Sequence, residues 1–126
     1  MKKVYIESSI GEIIDKLTIL EIKKKKISKK KHLAQINKEY FSLKSTLKEN
    51  VKVDYKIKKL WNNLFLTNLK IWEMENFKRE VQKQLEKIAQ VAINVYKCND
   101  ERAKIKLKIN KITGSNIKEI KKYSKY

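Results

Sequence analysis

The sequence IKKLWNNLFLTNLKIWEMENFKRE, from Ile57 to Glu80, carries the clearest helical pattern in the chain. Its apolar residues recur every three or four positions, as on one face of an α-helix. Asn68 and Glu75 fall on the same face, and an unpaired polar group in a core costs roughly 1–3 kcal/mol. We therefore expect each of them to have a partner or to face a cavity, and Arg79, one turn later, is the expected partner of Glu75. We also expect the remaining helices to be arranged around this one.

The composition favours helices along the whole chain. The 126 residues include no Pro and only two Gly, whereas a sheet protein needs turn residues between its short strands. A chain of this length forms one domain and buries about two-thirds of its unfolded surface. We therefore expect a single all-α domain over residues 1–126, folded as an antiparallel bundle of four or five helices, some of them long.

The first half of the chain gives two helices with recognisable starts. Ser9 and Glu12 have the spacing of a capping box, which predicts a helix from about 9 to 27. A second helix, from about 29 to 49, carries a narrow apolar seam of the kind that packs along another helix, either within the chain or in a homodimer. The five positions of this seam are Leu33, Ile36, Tyr40, Leu43 and Leu47.

The second half contains a long segment without an evident break. Asp54 is the expected N-cap of the third helix, and Gly114 is the expected C-cap of the last one. One helix over this length would be about 90 Å long, so a break is required. We expect it at Asn76 or at Cys98-Asn99-Asp100, with an apolar seam that resumes through Val81, Leu85, Ile88, Ala92 and Val95.

The two ends of the chain lie outside these helices. Residues 1–8 are predicted to form an extended lead-in that packs on the bundle. Residues 115–126 are predicted to form a basic, partly mobile tail.

No apolar run approaches the roughly 18 residues of a membrane span. Cys98, the single cysteine, cannot form an internal disulfide, and residues 1–9 lack a secretory apolar region, so we expect a cytoplasmic protein.

The net charge of +18, from 32 basic and 14 acidic residues, favours an anionic partner such as nucleic acid. All basic residues except Arg79 and Arg102 are lysines, and specific base reading relies on arginine. The lysine excess therefore indicates either a functional charge or an AT-rich genome. The predicted polyanion surface is the run KKKKISKKK, unless it is only a solvated turn; its lysines are Lys23, Lys24, Lys25, Lys26, Lys29, Lys30 and Lys31.

A polar interval in the last helix suggests a site for a small anion. At the seam's spacing, Asn99, Arg102 and Lys106 come before the next apolar residue. Two retained arginines in a lysine-rich chain indicate positions where the planar guanidinium group is needed, because it can bind an anion through two hydrogen bonds at once. These side chains either hold an anionic ligand or belong to an interhelical salt-bridge network that includes Asp15, Lys16, Glu75, Arg79, Asp100 and Arg102.

No cofactor is expected, because the sequence has no glycine-rich phosphate loop, and His32 has no Cys or His at ligand spacing. Glu12 and Asp15 are the weak candidates for a metal site, since their i,i+3 spacing lets both carboxylates approach one divalent cation.

Three blocks of sequence resemble a known family. The first block is GEIIDKLTILEIK, the second is LWNNL with TNLKIWEMEN and RE, and the third is VYKCNDERAKIKLKIN with GS and EIKKY. In the same order, these blocks are similar to short bacterial and phage proteins catalogued as domain of unknown function 6165. The resemblance covers most of the chain and implies a single helical domain without implying a reaction. The positions it emphasises are Glu12, Asp15, Lys16, Asn68, Trp72, Glu75, Arg79, Asn99, Asp100, Arg102 and Lys106.

These observations favour a non-enzymatic binding or accessory protein for an anionic partner, either nucleic acid or an anionic metabolite. One alternative is a small helical-bundle enzyme acting on a nucleotide or sugar-phosphate. Glu75 would then be its acid or base, and Arg79, Arg102 and Lys106 would be its anion ligands. The other alternative is a structural protein–protein interaction module.

Overall fold

The structure, a computed structural model, describes residues 2–117, which form four α-helices and no strand. Helix α1 spans Ile10–Lys26, α2 spans Lys30–Asn50, α3 spans Tyr55–Glu80 and α4 spans Leu85–Thr113. The predicted all-α bundle is therefore confirmed, with four helices. None of the helices among these residues is long and apolar enough to cross a membrane.

Helix α1 is the central element of the bundle. It packs against each of the other three helices, and α3 also packs against α4. A helix that is buried on most sides needs neighbours around it, which explains why the expectation that α3 organises the bundle is wrong. The buried residues of α1 are Gly11, Ile13, Ile14, Asp15, Leu17, Thr18, Leu20 and Ile22.

All four helices contribute to one hydrophobic core. The apolar faces meet around α1, so removing these side chains from water stabilises the whole arrangement rather than a single helix pair. The buried members of this core are Ile13, Ile14, Leu17, Leu47, Ile57, Leu64, Ile105 and Ile109.

The apolar seam of α2 is used within the chain. Ile36 and Leu47 are buried, and Tyr40 and Leu43 pack against the core. A homodimer formed through this seam would have to give up these contacts.

The predicted helix ends are confirmed where short-range capping determines them. The Ser9 hydroxyl accepts a hydrogen bond from the Glu12 amide at 3.1 Å, and the Asp54 carboxylate accepts one from the Ile57 amide at 2.9 Å. Gly114 ends α4 with φ of 64°, a left-handed conformation that glycine adopts without strain.

The break between α3 and α4 lies elsewhere than predicted. Helix α3 continues through Asn76, and α4 runs uninterrupted through Cys98-Asn99-Asp100, so both predictions are wrong. The chain reverses at 81–84, where the Gln84 amide donates a hydrogen bond to the Val81 carbonyl at 2.7 Å. Because the segment has neither Gly nor Pro, the packing of α4 on α3 determines the position of this turn.

Two further expectations about surfaces need correction. Leu85, predicted to lie on the α4 seam, is 79% exposed because it begins the helix immediately after the turn. Val4, Tyr5 and Ile6 of the lead-in are 81–84% exposed, so the predicted packing of these apolar residues on the bundle is wrong. The lead-in precedes the N-cap Ser9 and is not helical, so these side chains do not continue the buried face of α1. The predicted tail lies outside the described residues from position 118 onward.

A close approach between α1 and α4 depends on Gly11. Its amide donates a hydrogen bond to Asn110 Oδ1 at 2.6 Å. A Cβ atom at this position would lie 2.5 Å from the Lys106 carbonyl oxygen and 2.7 Å from Asn110 Oδ1, and both distances are shorter than van der Waals contact. Only glycine lets the two helices come this close.

We predict that Gly11→Ala lowers the free energy of unfolding by about 1–3 kcal/mol, because the added methyl group overpacks the α1–α4 contact. Urea unfolding followed by circular dichroism measures this change. Lys16→Ala, at an exposed position of the same helix, is the control and should change stability by less than about 0.5 kcal/mol. An equally small effect of Gly11→Ala would contradict the close approach.

Candidate functional site

A charged residue lies at the centre of the bundle. Asp15 on α1 is 0% exposed, and a buried carboxylate is tolerated only when it is paired and hydrogen-bonded. Arg102 on α4 supplies that pairing with both arms of its planar fork. Its Nε donates to Asp15 Oδ1 at 2.8 Å, and its Nη2 donates to Oδ2. This bidentate geometry is the strong form of an ion pair.

Helix α3 joins this ion pair through Asn68. The Asn68 side-chain amide donates to Asp15 Oδ1 at 2.8 Å and to the Thr18 hydroxyl at 2.8 Å. Thr18 in turn donates to the backbone carbonyl of Asp15 at 2.7 Å. Of the two possibilities predicted for Asn68, a partner or a cavity, the partner is therefore confirmed, and α3 is held to α1 by polar as well as apolar contacts.

Lys106 adds a second link between α1 and α4. Its Nζ lies 2.7 Å from Glu12 Oε2 and 3.8 Å from Asp15 Oδ2. The polar interval predicted in α4 thus lies where α4 meets the acidic side chains of α1. We call these residues the Asp15 network: Glu12, Asp15, Thr18, Asn68, Arg102 and Lys106.

The contacts of the Asp15 network support the structural alternative over the ligand pocket. Among residues 2–117, no buried side-chain nitrogen or oxygen is left without a hydrogen-bond partner. An anion approaching Arg102 or Lys106 would have to compete with Asp15 and Glu12 for them. A fully satisfied network rigidifies a core and fixes the register of its helices.

The remaining residues emphasised by the resemblance do not belong to the Asp15 network. Lys16 and Arg79 are exposed, whereas Trp72, Asn99 and Asp100 are partly buried. Glu75 pairs at 3.5 Å with Lys78 rather than with Arg79, so the predicted Glu75–Arg79 pair is wrong. Lys78 is three positions and Arg79 is four positions after Glu75. Both spacings make helical neighbours, so the sequence pattern did not distinguish between these two partners.

The two weak metal candidates both face cations. The Glu12 carboxylate contacts Lys106, and the Asp15 carboxylate contacts Arg102. Over the described part of the chain, no group of three or more His, Cys, Asp or Glu side chains is placed to hold a metal ion.

The predicted polyanion surface lies at the other end of α1. Its lysines occupy the last turn of α1, the connection after it and the first turn of α2. Lys24 Nζ lies 3.4 Å from the centre of the Tyr40 ring, and Lys25 Nζ lies 5.0 Å from that of Phe65. No carboxylate of residues 2–117 forms an ion pair with any of the seven lysines. We call these seven residues of the run 23–31 the lysine cluster.

A groove of about 520 Å³ opens beside the lysine cluster, between α1, α2 and α3. The sequence pattern assigned Tyr40 to the α2 seam and gave no sign that it shares an open surface with the other aromatic residues of this groove. That arrangement requires three helices to meet, which no local pattern encodes. Its lining residues are Glu21, Lys24, Lys25, Tyr40, Lys58, Trp61, Asn62 and Phe65.

Glu21 is the single carboxylate in the lining of this groove. Its Oε1 accepts a hydrogen bond from the Trp61 indole nitrogen at 3.1 Å. Burial raises the pKa of Glu21 above its ordinary value, whereas the Trp61 hydrogen bond and the positive charges of Lys44, Lys24 and Lys25 act in the opposite direction. Burial is the larger effect, because it removes water from the charged form.

Comparison of the chain with protein-family models, with curated proteins and with solved structures finds no significant match. The resemblance to the family of short bacterial and phage proteins therefore stays a prediction.

We predict that Arg102→Met lowers the free energy of unfolding by about 3–5 kcal/mol, because it leaves the buried Asp15 carboxylate without its main partner. Asp15→Asn should cost less, since Arg102 is 28% exposed on its side chain and can be rehydrated. Urea unfolding of both variants measures the difference.

The matched control is Arg79→Met, which replaces the other arginine of the chain at an exposed position and should change stability by less than about 0.5 kcal/mol. If Arg102→Met were as mild as this control, Arg102 would not hold the fold together and its role as an anion ligand would regain support.

We predict that Glu21→Gln removes a pH-dependent contribution to stability. Because the folded state raises the pKa of Glu21, it binds this proton more tightly than the unfolded chain does. The resulting stabilisation is present below the unfolded pKa and is lost as pH rises through the folded pKa. In the variant, the side chain at position 21 carries no ionisable group, and its amide oxygen still accepts the hydrogen bond from Trp61. The variant should therefore gain stability relative to wild type as pH rises.

Urea unfolding at a series of pH values between about 4 and 7 tests this change. Glu39→Gln, the same substitution at an exposed position of α2, controls for the loss of one negative charge. A wild-type protein that gained stability relative to Glu21→Gln with rising pH would show the opposite sign and contradict the prediction.

Proposed function

We propose that this protein is a non-enzymatic binding protein for a polyanion, and that its partner is nucleic acid. The observation that carries the proposal is the lysine cluster, in which seven ammonium groups lie together without an ion pair to any carboxylate of the described residues. Such a concentration of charge attracts phosphates and releases their counterions, which is the main source of sequence-independent affinity for nucleic acid.

The fold supports this proposal by concentrating the charge. Only three residues separate α1 from α2, so the last turn of one helix and the first turn of the next lie near each other. A backbone of regularly spaced phosphates offers several contacts to such a surface, whereas a small metabolite offers only one or two. The lysine cluster contains no arginine. Ammonium groups bind phosphates well but recognise base edges less specifically than guanidinium groups do, so this surface favours affinity for the backbone over sequence specificity.

The other predicted functions have less support from the geometry. An anionic metabolite at Arg102 and Lys106 would have to displace carboxylates that already pair with them. The candidate acid or base of an enzyme, Glu75, pairs with Lys78 and its side chain is 45% exposed. Proton transfer to a substrate favours a carboxyl group shielded in a cleft, and Glu75 is not in that setting.

A cytoplasmic location belongs to the same proposal, since it would bring the protein to its partner. The single cysteine is in keeping with a reducing compartment, where structural disulfides are rare. A homodimer stays a prediction, and it would need a surface other than the α2 seam.

We predict that replacing Lys29, Lys30 and Lys31 together by Gln weakens binding to nucleic acid by at least about tenfold at low salt. The slope of log affinity against log salt concentration should fall by about 2–3, since each lost phosphate contact removes nearly one unit. Fluorescence anisotropy of a labelled oligonucleotide across a salt series measures both quantities.

The matched control replaces Lys48, Lys52 and Lys56 by Gln. These three exposed residues lie near the opposite end of α2, about 30 Å away at helical rise, and their removal changes the net charge by the same amount. Equal losses in the two triple variants would show that overall charge, rather than the lysine cluster, supports binding.

A further inference from the structure

The groove between α1, α2 and α3 borders the lysine cluster directly. Lys24 and Lys25 belong to both, and Lys58 lines the groove from α3. Between these cations lie the rings of Tyr40 and Phe65, together with Trp61. The surface therefore places aromatic faces and positive charge side by side, on three different helices.

The groove has the size and chemistry of a site for a flat aromatic group. Its volume of about 520 Å³ falls within the roughly 300–1,000 Å³ that is common for small-molecule sites. The Asn62 side-chain amide offers both a donor and an acceptor, and the Glu21 carboxylate offers further acceptor positions. A group that fits this lining has a stacking face, a hydrogen-bonding edge and negative charge close by.

We infer that the groove takes an unstacked base of a single-stranded nucleic acid while the lysine cluster holds the neighbouring phosphates. This inference rests on the proposed function and adds the form of nucleic acid that is bound. A base within a duplex has both faces covered by its neighbours, whereas a base in a single strand can stack on a protein ring. The protein should therefore bind single strands more tightly than duplexes.

The lysines now lying over the rings explain how the groove can open. Lys24 lies over Tyr40, and Lys25 lies over Phe65. Lysine side chains are flexible, and an ammonium over a partly exposed ring gains less than a phosphate contact combined with a stacked base. When a strand arrives, the two ammonium groups move from the rings to the phosphates and uncover the aromatic faces.

Glu21 determines which part of the strand enters the groove. Its carboxylate is held in place by the Trp61 indole and repels phosphate. The base edge is uncharged and can donate to a carboxylate. Phosphates are therefore directed toward Lys24, Lys25 and Lys58, and the base is directed inward.

The test uses the fluorescence of Trp61. In the full chain carrying Trp72→Phe, Trp61 is the remaining tryptophan. This protein is titrated with an oligothymidine of about 12 nucleotides, within the range of single-strand site sizes, with a duplex of the same length and with inorganic polyphosphate. We expect tighter binding and quenching of Trp61 with the single strand, and binding without quenching with the duplex and polyphosphate.

A pair of ring substitutions on α3 localises the effect. Phe65→Leu removes the ring from the groove but keeps an apolar side chain, and it should weaken single-strand binding about 5- to 150-fold while leaving polyphosphate binding unchanged. Phe77→Leu makes the same change at an exposed site outside the groove and should leave both affinities unchanged. If Phe65→Leu fails to fold, as judged by circular dichroism, the Trp61 titration still decides the question.

The outcomes separate this inference from the proposed function. Equal affinity for single strand, duplex and polyphosphate, with Trp61 fluorescence unchanged, would overturn base binding in the groove and leave polyanion binding in place. Absence of binding to all three polyanions at low salt would overturn both. Equal losses in Phe65→Leu and Phe77→Leu would also overturn the groove as the site of the base.

Discussion

The ion pair between Asp15 and Arg102 is the interaction on which the arrangement of the bundle depends. A carboxylate with no exposed surface, on the helix that contacts all the others, is costly unless its partners are in place. Arg102 from α4 and Asn68 from α3 both bind it, and both do so at 2.8 Å. Apolar faces alone would allow a helix to slide or rotate, since burial is not directional. The buried charge permits one register of α3 and α4 against α1.

The Asp15 network and the lysine cluster divide α1 into two halves with different properties. Asp15 and Lys24 are nine residues apart, which is about 14 Å along a helix. The first half is closed, since Gly11 brings α4 into contact and the polar atoms are satisfied internally. The second half is open and basic, and its lysines form no ion pair with a carboxylate of the described residues. Lysines there can therefore be replaced to test binding, whereas a change at Asp15 tests stability.

Part of the net charge of +18 is concentrated in the second half of α1 and in the residues that follow it. A lysine excess that arose only from genome composition would be expected to spread over the surface, and much of it does. In the lysine cluster, however, the nearest partners of Lys24 and Lys25 are aromatic rings rather than carboxylates. Positive charge next to π-faces suits a strand whose phosphates and bases alternate. The proposal of nucleic-acid binding therefore depends on how the charge is arranged, more than on its total.

The sequence alone determined the helical character of the chain and the helix ends that are marked by a capping side chain or by glycine. Ser9, Asp54 and Gly114 were identified correctly because a cap is formed by residues only three or four positions apart. It also indicated that Asn68 needs a partner or a cavity, because helical spacing alone places this polar residue on an apolar face. The partner itself was decided by the tertiary structure: Asn68 and Asp15 are 53 positions apart in the chain. The same is true of the turn at 81–84, whose position depends on the packing of α4 on α3, and of the groove beside Trp61, where α1, α2 and α3 meet.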